Sequence, residues 1–200
     1  MLIMQKFCIF VAQELNKFTM DTKEQFEQVI TTCRNLFEKK LKDYGASWRI
    51  MRSQSVTDQI YIKANRIRSI ETKGTSRIDE DVRSEFIAIV NYGVIGLIQF
   101  HLGFSSTVDI DNPEALALYD KYITETKELM YAKNHDYDEA WRNMRISSYT
   151  DMILMKICRT KQIEANEGKT IVSEGIDANY MDMINYSLFA LIKLNLGTYV

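Results

Sequence analysis

The sequence predicts an all-α fold, a helical bundle built from two tandem three-helix repeats. When the chain is shifted by 93 positions, 14 of the 29 residues from 43 to 71 are identical to those from 136 to 164. Such self-similarity indicates a duplicated structural unit. One proline and eight glycines among 200 residues leave long stretches free of helix breakers. The alternating pattern typical of strands does not appear.

The repeat divides the chain into an N-terminal extension (1–19), a first repeat (20–103), a linker (104–112) and a second repeat (113–200). We expect the two repeats to share one core as a single compact domain, related by a pseudo-twofold axis.

The start of the first repeat is predicted at Met20. Asp21 or Thr22 can cap a helix there, with Gln25 three residues after Thr22. Residues 1–19 are therefore interpreted as a dispensable upstream extension. The alternative is a short extra helix that packs on the bundle.

Each unit is predicted to contain three helices. The first carries apolar residues at helical spacing. The second follows a Ser/Thr-rich segment that ends at Asp58 or Asp151, where acid and hydroxyl side chains can cap it. The third ends at a C-cap glycine. The predicted spans are 22–41, 58–72 and 80–102 in the first unit and 114–133, 151–166 and 174–196 in the second, with 177 as the alternative start of the last helix.

The composition is that of a globular protein with a sizeable core. Hydrophobic residues make up 46% of the chain and charged residues 26%. A formal net charge of −2 provides no basic excess for a general nucleic-acid coat. The apolar run within residues 1–19 is too interrupted to span a membrane, and no secretory cleavage site follows it. We expect a cytoplasmic protein without membrane contact.

The three cysteines, Cys8, Cys33 and Cys158, fall inside apolar periodic segments. We therefore predict reduced cysteines in the core. The chain has two histidines and no CxxC pair, so a zinc site is not expected.

The predicted second helix of each unit carries a lysine and an arginine on an otherwise apolar face. Lys156 and Arg159 share an arc of about 60° with apolar residues. Cations in such surroundings are costly unless a carboxylate or a bound anion meets them. Either they form a structural ion pair or they bind phosphate. Both versions place them within salt-bridge reach of Glu174 or Asp182, around a cavity open to solvent. The equivalent cations of the first unit are Lys63 and Arg66.

The third helix of the second unit carries the acids Glu174, Asp177 and Asp182. Carboxylates at helical spacing are how helical bundles hold Mg²⁺, so these three are candidate metal ligands. Alternatively, Glu174 and Asp177 only complement the helix dipole. Ala88 stands where the second unit has Asp182, which predicts one complete site and one degenerate site.

Both units keep the pattern Lys-x-x-Asp-Tyr-x-x-x-Trp-Arg, which we call the signature. Asp43 and Asp136 within it are candidate contacts to a metal or ligand. Trp48 and Trp141 are interpreted as core anchors that fix the turn into the second helix.

These motifs resemble the family called nucleotide modification associated domain 1, in the tandem form of its members from Bacteroidetes. The resemblance covers residues 20–200. Asp138 departs from the family pattern, which has glycine there, whereas the first unit keeps Gly45. More distantly, the acidic helices are similar to the all-α nucleoside triphosphate pyrophosphohydrolases of the MazG and dimeric dUTPase types. The residues that carry the resemblance are Lys133, Asp136, Tyr137, Trp141, Lys156, Arg159, Glu174, Asp182, Asn185 and Tyr186.

The resemblance implies a protein that handles nucleotides, either a Mg²⁺-dependent nucleotide pyrophosphohydrolase or an accessory of nucleotide modification. The alternative is a non-catalytic helical module that binds a nucleotide or a protein partner, and a homodimer is compatible with both. The predicted metal ligands are Glu174, Asp177 and Asp182, and no catalytic residue is assigned. The predicted ligand- or phosphate-binding residues are Lys133, Asp136, Tyr137, Arg142, Lys156, Arg159, Asn185, Tyr186, Lys63 and Arg66.

Overall fold

The computed structural model describes residues 20–75 and 81–196, and this part of the chain forms six α-helices with no β-strand. A short 3₁₀ turn precedes the second helix of each unit, at Ser47–Ile50 and Ala140–Asn143. The predicted all-α class is confirmed, while the predicted extension 1–19 lies outside the described residues. The helices are α1 (Thr22–Tyr44), α2 (Ser53–Lys73), α3 (Val82–Leu102), α4 (Asn112–Tyr137), α5 (Ile146–Ala165) and α6 (Ile176–Leu196).

Helix α1 begins after Asp21, one of its two predicted caps. The Asp21 carboxylate accepts a hydrogen bond from the backbone N–H of Glu24 at 2.8 Å, and Glu24 accepts one from the backbone N–H of Asp21 at 3.1 Å. This reciprocal capping box satisfies amides that a helix start leaves open. Gln25, the predicted partner of a Thr22 cap, instead donates to the carbonyl of Met20.

Helices α2 and α5 begin five residues earlier than predicted, at Ser53 and Ile146. The prediction that Asp58 and Asp151 cap these helices is wrong, because both aspartates lie inside the helix and bond to the opposite unit. The Ser/Thr-rich starts are helical because buried threonines there contact the other unit, and tertiary contacts override modest helix propensity.

The two units exchange equivalent hydrogen bonds where α2 contacts α5. Thr57 of α2 donates to Glu164 of α5 at 2.8 Å, and Thr150 of α5 donates to Glu71 of α2 at 2.9 Å. The partners in one bond are each 93 positions from their equivalents in the other. Such reciprocity is what a twofold axis produces, so the predicted pseudo-twofold relation is confirmed at this contact.

Two ion pairs repeat this exchange at the same contact. Arg68 of α2 lies 2.5 Å from Asp151 of α5, and Lys161 of α5 lies 2.6 Å from Asp58 of α2. The two pairs are again related by the 93-residue shift. Exposed ion pairs stabilise a fold little. We therefore infer that these two pairs help to align α2 against α5 rather than to stabilise the fold.

Helices α3 and α6 pack together in the centre of the bundle, where glycine allows a close approach. A Cβ added to Gly96 would lie 2.6 Å from the ring of Tyr180, and one added to Gly93 would lie 2.6 Å from Ile184. Among the described helices, α3 has the length and apolar composition of a membrane span, but most of that stretch is buried inside the bundle. Its apolar character is that of a core helix.

The cysteine prediction is confirmed at one position and wrong at another. Cys33 of α1 is buried and free, and burial raises the pKa of its thiol to about 12. Cys158 of α5 is free but exposed, because it lies on the solvent side of that helix. Cys8 lies outside the described residues.

The reciprocal glutamates make stability depend on pH. Burial raises the pKa of both Glu71 and Glu164 above the ordinary 4.5, so the folded state binds protons more tightly than the unfolded state. Their contribution to stability is therefore lost as pH rises through the window above 4.5. We expect the double variant Glu71→Gln/Glu164→Gln to melt at a slightly higher temperature than the parent at pH 7, and at a similar temperature at pH 4.

Thermal unfolding followed by circular dichroism checks this expectation. Glutamine keeps an oxygen that accepts the threonine hydrogen bond. Glu128→Gln, at an exposed position of α4, is the matched control and should leave the pH profile unchanged. A double variant that is less stable than the parent at pH 7 would contradict the assignment.

Candidate functional site

A cavity of about 340 Å³ opens in the second unit, lined by α4, the 3₁₀ turn, α5 and α6. Its walls are mainly apolar and aromatic, with a few polar groups from α4 and α6. This mixture is typical of small-molecule sites. Its apolar and aromatic walls include Met130, Met144, Met152, Trp141, Tyr186 and Phe189. We call it the second cavity.

One wall of the second cavity holds a carboxylate bound by two lysines. Asp182 accepts from Lys133 at 2.9 Å through Oδ1 and lies 2.5 Å from Lys156 through Oδ2. The side chains of Asp182 and Lys156 are each 8% exposed, whereas that of Lys133 is 43% exposed. The acid therefore neutralises a buried cation, and Lys133 keeps donors that face solvent.

Trp141 of the signature is fixed by aromatic packing. Its ring stacks on Phe189 with centroids 4.6 Å apart and meets Phe26 of α1 edge-on at 6.1 Å. Tyr149 donates to the carbonyl of Trp141. Trp141 is thus the core anchor that the sequence predicted, and it also forms part of the cavity wall.

The 3₁₀ turn that carries Trp141 is held from α6. Lys193 donates to the carbonyls of Arg142, at 2.9 Å, and Met144. In the first unit, Gln99 occupies the equivalent position on α3 and donates to the carbonyls of Arg49, at 3.1 Å, and Met51. Both units therefore position the signature turn by a long side chain from their last helix.

Two residues that line the second cavity each carry a buried polar atom without a partner among the described residues. Asn185 is 4% exposed; its Nδ2 donates to the carbonyl of Thr126 at 3.4 Å, but its Oδ1 accepts no hydrogen bond. The indole N–H of Trp141 is also buried without an acceptor. Unpaired buried polar groups are costly, and both of these belong to residues of the cavity lining.

The phenol of Tyr186 is a further donor at this cavity. Burial, together with the charges of Asp182 and Glu174, raises the pKa of Tyr186 to about 12. The hydroxyl therefore stays protonated near neutral pH and can donate a hydrogen bond.

The first unit contains an equivalent cavity of about 320 Å³, which we call the first cavity. It is lined by α1, the 3₁₀ turn, the residues just before α2, and α3. Eleven of the twelve residues that line the second cavity have their repeat equivalents in its walls. Six of those eleven pairs are identical. They are Lys40/Lys133, Tyr44/Tyr137, Trp48/Trp141, Met51/Met144, Asn91/Asn185 and Tyr92/Tyr186.

The two cavities differ most in their charged groups. Ala88 takes the place of Asp182, so no carboxylate lines the first cavity. The acid of the first unit is Glu85, one turn earlier on α3, which pairs with Arg66 and, at 3.3 Å, with Lys63. In the second unit Asp182 and its partner Lys133 line the cavity, whereas Glu85, Lys63 and Arg66 all lie outside the lining of the first cavity.

The signature and its cavity coincide with a family match. The chain matches the family model described as nucleotide modification associated domain 1 over residues 40–100 and 133–194, which together make up more than half of its 200 residues. The chain belongs to this family. No curated protein and no solved structure matches the chain, and the distant likeness to the all-α pyrophosphohydrolases is not shown.

Several predicted ligand residues of this member of the nucleotide modification associated domain 1 family line the second cavity. Lys133 and Tyr137 come from α4, and Asn185 and Tyr186 come from α6. Lys156 lies behind the wall, where its predicted contact with Glu174 and Asp182 is confirmed. These are the residues that the structure brings together.

Other predicted residues lie elsewhere. Asp136 has a 75% exposed side chain and contacts its neighbour His135. Arg142 binds the start of α1, donating to Thr22 at 2.6 Å. Arg159 forms no ion pair with any acid in the described part of the chain, so its predicted contact with the acids of α6 is not found.

The three predicted acids, of which Glu174 precedes α6, do not fit the predicted Mg²⁺ site. Both oxygens of Asp182 are bound by lysine ammonium groups. Within residues 20–75 and 81–196, no group of three or more His, Cys, Asp or Glu side chains is arranged to hold a metal ion. Glu174, Asp177 and Asp182 are therefore not assembled as a ligand set, and we derive no step through a metal.

The departure from the family pattern at Asp138 has a structural counterpart. Asp138 lies in the left-handed region with φ 47° and ψ 45°, whereas its equivalent Gly45 has φ 66° and ψ −163°. Glu139 follows with φ 52°, where its equivalent Ala46 has φ −83°. Aspartate tolerates this conformation better than most residues. The turn after the first helix therefore follows a different backbone path in each unit.

Proposed function

We propose that the second cavity binds a nucleotide. The observation that carries the proposal is a largely apolar and aromatic cavity whose lining residues Asn185 and Trp141 each keep a polar atom, Oδ1 and the indole N–H, without a partner among the described residues. A nucleobase has apolar faces for stacking and an edge with donors and acceptors, so it can satisfy both kinds of wall. The family description points to the same class of molecule.

Lys133 is the proposed contact for phosphate. Its ammonium uses one donor on Asp182 and is 43% exposed, so it can donate to an anion at the entrance. Tyr137, with 70% exposure, lies beside it in the lining and can cover a bound ring. Asp182 acts as a positioning residue, since it fixes the lysine without contacting the phosphate.

The geometry favours binding over hydrolysis. Asp182 is occupied by two cations rather than available as a base or metal ligand. We therefore propose the non-catalytic alternative, a helical module that binds a nucleotide. A cytoplasmic location and a homodimer stay predictions from the sequence.

The chain reports on its two cavities separately because it contains two tryptophans, one in each. In a ¹H–¹⁵N NMR titration with nucleoside mono-, di- and triphosphates, we expect the indole N–H signal of Trp141 to shift saturably with at least one of them. Assignment comes from Trp48→Phe and Trp141→Phe. Lys133→Met should weaken binding about tenfold or more, since a hydrogen bond to a charged group is lost.

Lys127→Met is the matched control, because Lys127 is on the same helix and pairs with Glu27 outside the cavity. It should leave the affinity unchanged. If no nucleotide moves the Trp141 signal, the proposal is wrong. If Lys133→Met and Lys127→Met have equal effects, Lys133 does not contact the ligand.

A further inference from the structure

The first cavity contains a lysine that no described acid neutralises. Lys40 lines the cavity, and its side chain forms no ion pair with an acid in residues 20–75 or 81–196. Its equivalent, Lys133, is bound by Asp182. The difference arises because the aligned position of α3 is Ala88, which leaves no carboxylate in this lining.

Glu85, the buried acid of α3, is already paired with two cations. Glu85 has a 3% exposed side chain and contacts Lys63 and Arg66, and it is not part of the cavity lining. The lining of the first cavity therefore carries one cation and no anion. Lys40 is exposed, so its ammonium is free to donate to an anionic group of a ligand in the cavity.

A tryptophan of the same lining carries a buried donor without a partner among the described residues. Trp48 lines the cavity and is 7% exposed, and its indole N–H has no acceptor among the described residues. The walls around it are apolar, including Phe37, Leu41 and Ile95. Asn91, unlike Asn185, is fully engaged, because it accepts from Tyr119 at 2.8 Å and donates to the carbonyl of Cys33 at 3.1 Å.

We propose that the first cavity is a second small-molecule site, which takes a planar ring that carries one anionic group. Lys40 binds the anionic group, Trp48 donates to a ring or linker acceptor, and the apolar wall contacts the ring. The site differs from the second cavity in selectivity, because Ala88 removes the carboxylate that offsets the lysine there. It does not depend on nucleotide binding by the second cavity.

Asn91 explains a second part of this selectivity. Its amide oxygen is bound by Tyr119, and position 26 of α1, the repeat equivalent of Tyr119, is a phenylalanine, so Asn185 has no such donor. The first cavity thus offers fewer free groups to a base edge than the second. The anionic group, rather than the ring edge, therefore dominates recognition in the first cavity.

The test uses the indole signal of Trp48 in the full-length chain with three probes: AMP, adenosine and 1-naphthoate. AMP and adenosine share a ring system and differ in the anionic group, whereas 1-naphthoate carries a carboxylate on a ring without ribose. We expect the Trp48 signal to shift with AMP, with 1-naphthoate or with both, and adenosine to bind at least about tenfold more weakly than AMP where AMP binds. A response to AMP alone assigns a nucleotide, and a response to 1-naphthoate alone assigns an aromatic acid.

Lys40→Met is the decisive variant. It should lower the affinity for the anionic probe about tenfold, whereas Lys39→Met, at the neighbouring exposed position outside the lining, should not. The proposal is overturned if neither anionic probe moves the Trp48 signal, if adenosine binds as well as AMP, or if Lys40→Met leaves the affinity unchanged. If the Trp141 signal still responds to nucleotides in those cases, the proposed function of the second cavity is not contradicted.

Discussion

Asp182→Ala is expected to lower the free energy of unfolding by about 3–5 kcal/mol, because it leaves a buried cation without its partner. Lys156 is the residue that decides the size of the loss, since its side chain is 8% exposed and its next acid, Glu174, lies 4.0 Å away. Lys133 contributes less, because it is 43% exposed and can return to water. Urea unfolding followed by circular dichroism measures the change.

The double variant Asp182→Ala/Lys156→Met separates the charge effect from the loss of volume. Removing both members of a buried pair is often close to neutral, so we expect the double variant to recover most of the stability. Asp177→Ala, on the same helix and without an ion pair in the described structure, is the control and should cost little. A loss below about 1 kcal/mol for Asp182→Ala would show that Lys156 is not effectively buried.

The fold could be predicted because the two repeats still share many identical residues. The same 93-residue shift that aligns Thr57 with Thr150 and Glu71 with Glu164 places each threonine against the other unit's glutamate. The identities therefore reflect a contact between the units. Sequence alone showed that these positions repeat, but it gave no sign of which positions touch.

The errors at Asp58 and Asp151 have one physical cause. Acids after a Ser/Thr-rich segment are good helix caps in isolation. Here the helices start at Ser53 and Ile146 instead, and the aspartates pair with cations of the opposite unit. Local rules could not reveal this, because the competing partners are distant in the chain.

The candidate site was predictable only in part. The signature identified Lys133 and Tyr137, and the helical spacing of α6 identified Asp182 and Asn185. Methionine and phenylalanine in the walls were indistinguishable from core residues, because cavity walls and cores share the same apolar pattern.

The partners of the two signature arginines, Arg49 and Arg142, could not be predicted from the sequence. Arg49 is 2% exposed and binds Asp109 at 2.8 Å and the carbonyl of Gly103 at 2.6 Å, whereas its equivalent Arg142 donates to the start of α1. The two arginines keep their place in the signature but take different partners, because each unit offers a different neighbour. A repeated residue type therefore does not imply a repeated contact.

Glu85 was missed because its repeat equivalent is not an acid. Position 179 is asparagine, and the acid of the second unit stands one turn later, at Asp182, where the first unit has Ala88. From Ala88 we predicted that the metal site of the first unit is degenerate. The structure instead shows that the acid is displaced by one turn and keeps a cation of the second helix as its partner: Lys63 in the first unit and Lys156 in the second.

This displacement predicts what happens when the acid of α3 is removed from position 85 and introduced at position 88. Glu85→Asn is expected to lower the free energy of unfolding by about 1–3 kcal/mol, because Lys63 and Arg66 lose a buried partner. The cost is smaller than for Asp182→Ala because these cations are 31% and 22% exposed. Urea unfolding measures both variants on the same scale.

Adding Ala88→Asp to Glu85→Asn should restore at least half of that loss. The introduced carboxylate stands at the repeat equivalent of Asp182, with Lys40 and Lys63 at the equivalents of its two lysines. Ala88→Asp alone is the control and should destabilise, because a second acid then competes with Glu85 for Lys63 in a partly buried region. If the double variant is less stable than Glu85→Asn, the two lysines do not reach position 88, and the equivalence of the two clusters is limited to sequence.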